Sequence, residues 1–471
     1  MRVLYGLLCG LLLASCGGNT NGNKGAETTD DKAILIPPFI YEVEKNNTYT
    51  NLPALQSFVF GQSSDNWLLF GGRTNGFHGF QEPAEDFPFK KANAYIYAYN
   101  TSSNSLDSMP VSDLPEALKE QYLSSNMQHT QKGNMLYVSG GYGEINIGQV
   151  DSTWTTYDIL SRVDVSAMIL AVQNNDANAL KNAVVYDQND IVRSTGGEMF
   201  RLEDDKFYLV LGQDFRGSYS GFFSGSAKTT QQYLDSVHVF TVTETANSIA
   251  INTDSFQYIS DGLADNVTEF RRRDLLVTPT VLRGGSGIGL TVYGGVFHSP
   301  SDPDSTKQNK PFVNPIYITG GTTPSYTLDT SFTQNTNVYS AANLEMYDAK
   351  KDIVYTSVFG GMGDKALNDD FTKKVLSIGK NSSFSIPYYS ADLPAYMGSE
   401  ADFVIEPGLD MFNADYGIID YNSIPSGTRI LVGKIYGGIV SNGPQWVAKT
   451  NPTTPSSDVY NVYITKQEIE E

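Results

Sequence analysis

Seven short polar or aromatic segments in this chain carry side chains able to do chemistry, and most of them follow a glycine pair. Arg73 and His78 follow Gly71-Gly72, and Tyr142 and Glu144 follow Gly140-Gly141. Asp214 and Arg216 follow Gly212, His298 follows Gly294-Gly295, Asp364 and Lys365 follow Gly360-Gly361, and Gln445 and Trp446 follow Gly437-Gly438. Arg271, Arg272 and Arg273 precede an apolar run and are expected to point at the same opening. Arginines, carboxylates and rings gathered at one rim suit a carbohydrate or an acidic sugar, through bidentate hydrogen bonds and stacking. The candidate ligand-binding set is therefore Arg73, His78, Tyr142, Glu144, Asp214, Arg216, Arg273, His298 and Trp446. No residue is assigned a catalytic role.

Other chemistry is weakly represented. The four histidines, His78, His129, His238 and His298, show no paired metal-ligand spacing. His129 and His238 fall on expected strands and read as structural. Asp302-Pro303-Asp304-Ser305 alternates oxygen ligands but lacks the glycine turn and distal glutamate of a calcium loop, so it reads as a surface turn. The only cysteines are Cys9 and Cys16, which leaves the body without a disulfide, thiolate nucleophile or cysteine ligand. Neither a metal nor another cofactor is expected. The formal charge of −20 opposes nucleic acid or an anionic membrane surface as a partner.

The elements that must position these residues repeat. Six apolar runs end at glycines 71, 140, 212, 294, 360 and 437, at spacings of 69, 72, 82, 66 and 77 residues, the third pair having decayed to Gly212-Gln213. A near-regular period marks one supersecondary unit reused along the chain. Each run is the second strand of a hairpin, whose first strand is expected over 55–60, 125–130, 197–202, 276–282, 343–347 and 417–421. A following hairpin begins over 94–99, 153–159, 237–242, 315–319, 374–378 and 459–465. Two hairpins make a four-stranded unit, and six such units packed in a circle would cover their own edges. The last unit lacks a fourth strand, which residues 33–42 are expected to supply. Connections after the glycine pairs are long, as are those over 173–193 and 391–416, so one face is elaborated, and function tends to live on such loops.

Apolar strand, double glycine and tyrosine-bearing strand together resemble the kelch repeat over residues 52–471. The units are longer than the kelch period of about 50 residues, and the fourth-strand tryptophan is missing. The resemblance implies an all-β fold, a six-bladed kelch-like β-propeller over 32–471 with its N-terminal strand closing the last blade. Kelch-like propellers include copper radical oxidases, whose cysteine–tyrosine cross-link has no counterpart here, and a sialic acid mutarotase. The mutarotase supplies an alternative reading, a metal-free carbohydrate enzyme using acid, base and arginine groups, with Arg73, His78, Glu144, Arg216 and Arg273 as its candidates. No sialidase box of the Ser-x-Asp-x-Gly-x-Thr-Trp type occurs.

The N-terminus reads as an export signal: Arg2, an apolar run over 3–13, then Leu13-Ala14-Ser15-Cys16-Gly17. This resembles the lipobox of bacterial lipoproteins, and the resemblance implies that Cys16 is lipidated after removal of a signal peptide (1–16 ends at that cysteine). Gly17 resembles lipoproteins sorted to an outer membrane. Residues 17–31 are polar and form an expected flexible tether. The leading expectation is an envelope-anchored, non-enzymatic binding or scaffolding lipoprotein. Its long-loop face meets a protein or glycan, and it touches the membrane through the anchor only.

Overall fold

The computed structural model describes residues 38–79, 87–226, 228–334, 336–363, 371–381, 385–444 and 453–467. The signal, the lipobox with Cys16, the tether, Ala33–Ile36, Asp364, Lys365, Gln445 and Trp446 lie outside the described residues.

The protein is all-β. Strand β1 (Phe39–Lys45) is followed by a four-stranded antiparallel sheet of β2 (Val59–Ser63), β3 (Asn66–Phe70), β4 (Tyr95–Asn100) and β5 (Ser105–Pro110). The next sheet holds β6 (Ser125–Lys132), β7 (Met135–Ile145), β8 (Thr153–Thr156), β9 (Ile159–Asp164) and β10 (Val184–Gln188). The third is β11 (Glu198–Arg201) and β12 (Phe207–Val210), then β15 (Val237–Thr245) and β16 (Ser248–Ile259). Between β12 and β15 the hairpin of β13 (Gln213–Arg216) and β14 (Thr230–Tyr233) projects. The fourth is β17 (Arg273–Val281), β18 (Ile288–Val296), β19 (Ile316–Thr319) and β20 (Ser325–Leu328).

A ten-stranded sheet completes the chain. It contains β21 (Ala342–Asp348), β22 (Ile353–Phe359), β23 (Thr372–Lys380), β24 (Ser385–Ile405), β25 (Met411–Asn413), β26 (Ile418–Asp420), β27 (Arg429–Ser441), β28 (Thr453–Pro455) and β29 (Val459–Lys466), together with β1. Strand β1 pairs antiparallel with β29, from Phe39 opposite Lys466 to Lys45 opposite Tyr460.

Expectations about strands are corrected in the second and the last expected units. The second hairpin of the second unit is β9 and β10 rather than one beginning over 153–159, where β8 pairs only with the end of β7, and the connection expected over 173–193 contains β10. The sixth hairpin does not start over 417–421: β26 pairs in parallel with β21 instead. The partner of β27 is the C-terminal half of β24, with Ala401 opposite Gly437 and Ile405 opposite Gly433. Residues 391–416, expected as a long connection, therefore contain a strand. β24 spans 21 residues. It serves β23 with its first half and β27 with its second, across a register shift between Met397 and Ser399. The third glycine pair is also displaced. The left-handed pair there is Leu211 (φ 60°) and Gly212 (φ 94°), not Gly212-Gln213.

Backbone approach explains the glycine pairs. Gly140 and Gly141 have φ of 65° and 89°, and a Cβ on Gly140 would stand 1.9 Å from the Ser194 carbonyl oxygen. Only glycine fits a backbone this close at such an angle. The second glycine of each pair then donates its N–H to a backbone further along the chain: Gly72 to Ser124 O, Gly141 to Ser194 O, Gly212 to Arg272 O and Gly361 to Met397 O. Gly438 donates to Leu55 O at 2.9 Å, linking β27 back to the residues ahead of β2. The core is aromatic and aliphatic between neighbouring sheets. Trp67, Tyr99, Val404, Tyr436 and Val459 pack together where the first and last sheets meet.

Candidate functional site

Six residues in the left-handed region lie just ahead of β2, β11 and β21, at the second position of β6 and β17, or within the second half of β24. These are Ser57 (φ 53°), Asn126 (55°), Gly196 (67°), Asp274 (49°), Ser340 (49°) and Glu400 (65°). Hydrogen bonds join them into a collar. Asn126 N–H donates to Ser57 O (3.2 Å), Gly196 N–H to Asn126 O (3.5 Å), Asp274 N–H to Gly196 O (2.6 Å) and Glu400 N–H to Ser340 O (2.7 Å). Ser340 Oγ donates to Leu275 O (3.2 Å), and Ser57 Oγ donates to the Glu400 carboxylate. Five of the six are not glycine, so the collar holds an unfavourable backbone angle at five L-residues. Such angles persist where surrounding bonds over-determine them and tend to cluster at functional sites.

A small cavity of about 30 Å³ sits on the loop side of the collar. Arg73, His78, Phe77, Phe87, Tyr219, Arg273, Asp274, Tyr339 and Glu400 line it. Three sequence candidates, Arg73, His78 and Arg273, are thus brought together. The backbone of Arg73, straight after a glycine pair, bonds to Gln56 at 2.9 Å. Its guanidinium donates to Asn75 Oδ1 (2.9 Å) and Pro88 O (3.4 Å) and lies 4.7 Å over the Phe87 ring. Arg273 opens β17, pairs with the Asp274 carboxylate and donates to the Tyr233 hydroxyl at 3.1 Å.

The His78 ring stacks on Phe77 and lies 4.6 Å from Phe87 and 4.9 Å from Tyr219. Its Nδ1 lies 2.9 Å from Gly79 O, which makes Nδ1 the protonated nitrogen. Burial, with Arg73 and Arg273 nearby, pulls its pKa down to about 4, so the ring is neutral near pH 7. Burial pushes the Glu400 carboxyl up to about 7; Asp274 adds to this, and the Ser57 bond opposes it. Asp274 is also raised by burial, against the pull of Arg273 and a hydrogen bond from Tyr339. Burial raises the Tyr219 phenol to about 12. An acid–base group near neutrality, Glu400, therefore stands beside two arginines and a neutral imidazole.

The other candidates stand elsewhere. Tyr142 backs the cavity: it is buried against Phe87, Phe215 and Tyr219 and donates to Gly217 O at 2.6 Å. Glu144, on the β7–β8 hairpin, accepts from Ser152 Oγ. Asp214 and Arg216 share one face of β13 and form an ion pair at 2.7 Å, with the arginine half-exposed. His298 is buried, its ring tilted against Phe312 at 3.8 Å and its Nδ1 3.6 Å from Asp302. Of the three consecutive arginines only Arg273 reaches the cavity. Arg272 is fully buried on Glu269 and Gly294 O, and Arg271 lies over the Tyr233 ring beside Asp265. His129 and His238 lie on β6 and β15, with Nδ1 against Met127 O and Ile191 O.

Sequence reasoning missed Ser57, Tyr219, Asp274, Tyr339 and Glu400. Asp274 adjoins the arginine run, which was its one available signal. Glu400 sits in the segment that reads as a connection. Among the described residues no three His, Cys, Asp or Glu side chains are grouped to hold a metal ion. No helix among them is long and apolar enough to cross a membrane.

No family model matches the chain. No curated protein matches it either. Among solved structures, the chain is similar to one titled "Structure of YjhT", at a TM-score of 0.43 and 10% identity, over 86% of this chain and 95% of that one.

Proposed function

We propose that the chain is an envelope-anchored binding module. In this reading residues 1–16 are a signal ending at a lipidated Cys16, and 17–31 are a tether to an outer membrane. Residues 32–471 form a six-bladed kelch-like β-propeller whose last blade is β24, β27, β29 and β1. The hydrogen-bonded collar and the Gly438–Leu55 link support six units closed in a ring. The long-loop face then meets a protein or a glycan.

The observation that carries the binding reading is the filling of the channel on that face. Phe77, His78, Phe87 and Tyr219 pack together, and only about 30 Å³ is left beside them, against the 300–1,000 Å³ usual for a small-molecule site. The β7–β8 hairpin projects with Val150 fully exposed at its tip. Cross-linking in intact envelopes, followed by purification and mass spectrometry, tests this with the native chain and a variant carrying Gly-Ser in place of 146–152. A stoichiometric partner lost in the variant is the expected result. No partner with either chain overturns the reading.

A second reading, a metal-free carbohydrate enzyme of the mutarotase kind, is favoured by one observation: Arg73, Arg273, His78 and Glu400 line a single cavity. NMR exchange between sialic acid anomers, with native protein and Glu400→Gln, separates the two readings. Acceleration lost in the variant supports the enzyme.

A further inference from the structure

Beyond the collar, away from the long loops, lies a larger cavity of about 320 Å³. It falls within the usual range for a small-molecule site. Strands β6, β11, β17, β21 and β24, and Ser57 and Phe58 ahead of β2, contribute to it. The carboxyls of Glu198, Glu345, Glu400 and Asp402 and the imidazole of His129 stand among its lining residues, with no lysine or arginine. Two of these acids have partners: Glu345 accepts from Thr356 Oγ1 at 2.7 Å, and Glu400 accepts from Ser57. Glu198 and Asp402 have no hydrogen-bond or ion partner among the described residues, and each is only partly exposed. A carboxylate with little access to water and no partner is costly to ionise and favours a counter-charge.

We propose that this cavity binds a small organic cation, a primary amine whose ammonium group is received between Glu198 and Asp402. A bare metal ion fits the chemistry poorly, because the carboxyls are not grouped as ligands. An ammonium brings three donors to acids that have none. Its carbon body meets Phe200, Pro279, Phe403 and Ile405, which also line the cavity. His129 supplies no positive charge, because burial pulls its pKa down.

Proton linkage follows. Burial, with Asp402 nearby, pushes the Glu198 carboxyl up to about 8, and burial pushes Asp402 to about 7. Glu345 is also raised by burial, and Glu400 reaches about 7. Near neutrality these carboxyls are therefore held partly or largely protonated, and an arriving cation favours their ionised form. Binding releases protons and tightens as pH rises.

The inference does not depend on the loop-face reading. Isothermal titration of the full chain at pH 8 tests it, with putrescine and ethanolamine as probes and 1,4-butanediol and ethylene glycol as uncharged counterparts. The amines are expected to bind and the diols not to. The heat should change between buffers of different ionisation enthalpy, as proton release requires. Glu198→Gln and Asp402→Asn should each weaken amine binding roughly tenfold or more. Their thermal midpoints should equal or exceed that of the native chain, which shows that they fold. No amine binding at tens of millimolar, equal binding of the diols, or full affinity in both variants would each overturn the proposal.

Discussion

Glu400 combines three constraints at one residue. Its backbone is left-handed, its N–H closes a link of the collar, and its carboxylate takes the Ser57 hydroxyl. It also borders both cavities. A carboxyl whose pKa is raised on folding holds its proton in the folded state after the unfolded chain has lost it. That contribution is complete below the ordinary glutamate value of about 4.3 and disappears as pH rises through about 7. The native protein should therefore lose more stability than Glu400→Gln between pH 5 and pH 8. Thermal melts at pH 5, 6.5 and 8 measure this, with a smaller midpoint decline, by a few degrees, in the variant. Parallel declines would show that the carboxyl titrates as though exposed. His78 works in the opposite direction: its lowered pKa costs stability as pH falls from about 6.5 toward 4.

At the scale of elements, the glycine pair sets how closely one sheet approaches the next. Gly140→Ala places a methyl against the Ser194 carbonyl at a φ of 65°. Gly133→Ala has a similar angle, 58°, in open space. The turn variant should cost about 1 kcal/mol for its backbone angle, and the pair variant at least about 2 kcal/mol more, because backbone must move. Urea unfolding of both variants measures the difference, and equal losses would remove close approach as the reason for the pair. Leu211 occupies the same position as Gly140 but is fully buried in the core with Tyr208 and Val237. Burying a leucine side chain is worth about 1.5–3 kcal/mol, which offsets a left-handed angle.

These pairs were legible because each closes an apolar strand at a recurring distance. The positions of the first strands of the first five hairpins follow from that pattern, to within about four residues at their ends. The sixth was not legible. Its inner strand lies in Ser385–Ile405, where Pro394 and Gly398 stand in the stretch read as connection, because prolines and glycines weaken strands in isolation. A strand paired on both sides overrides that local preference. The site divides in the same way. Arg73, His78 and Arg273 were visible from their places beside a glycine pair or a strand start, whereas Glu400 was hidden in the misread segment. Tyr219 and Tyr339 reach the cavity through loop paths that no period encodes.

At the scale of the whole molecule, the first and last described strands are bound to each other. Strand β1 lies along β29 through seven residue pairs, and Phe39 and Tyr41 are buried among Tyr355, Phe359 and Tyr421. Arg429 adds ion pairs to Glu42 and Glu44, both exposed and therefore weak. The apolar contacts carry the junction. Deleting residues 38–45 would uncover β29 as an open edge and expose the pocket that Phe39 and Tyr41 fill. Two large aromatic side chains taken from a core cost about 3–5 kcal/mol each when truncated. An unpaired strand edge is a template for pairing with another chain. The truncated protein should therefore melt several degrees lower and elute partly as a dimer or larger species, with Arg429→Ala in the full chain changing neither property. Light scattering and thermal melts read both effects. A truncated chain that stays monomeric with an unchanged midpoint would mean that β29 is a stable edge by itself, and the closure supplied by β1 would then be incidental to stability.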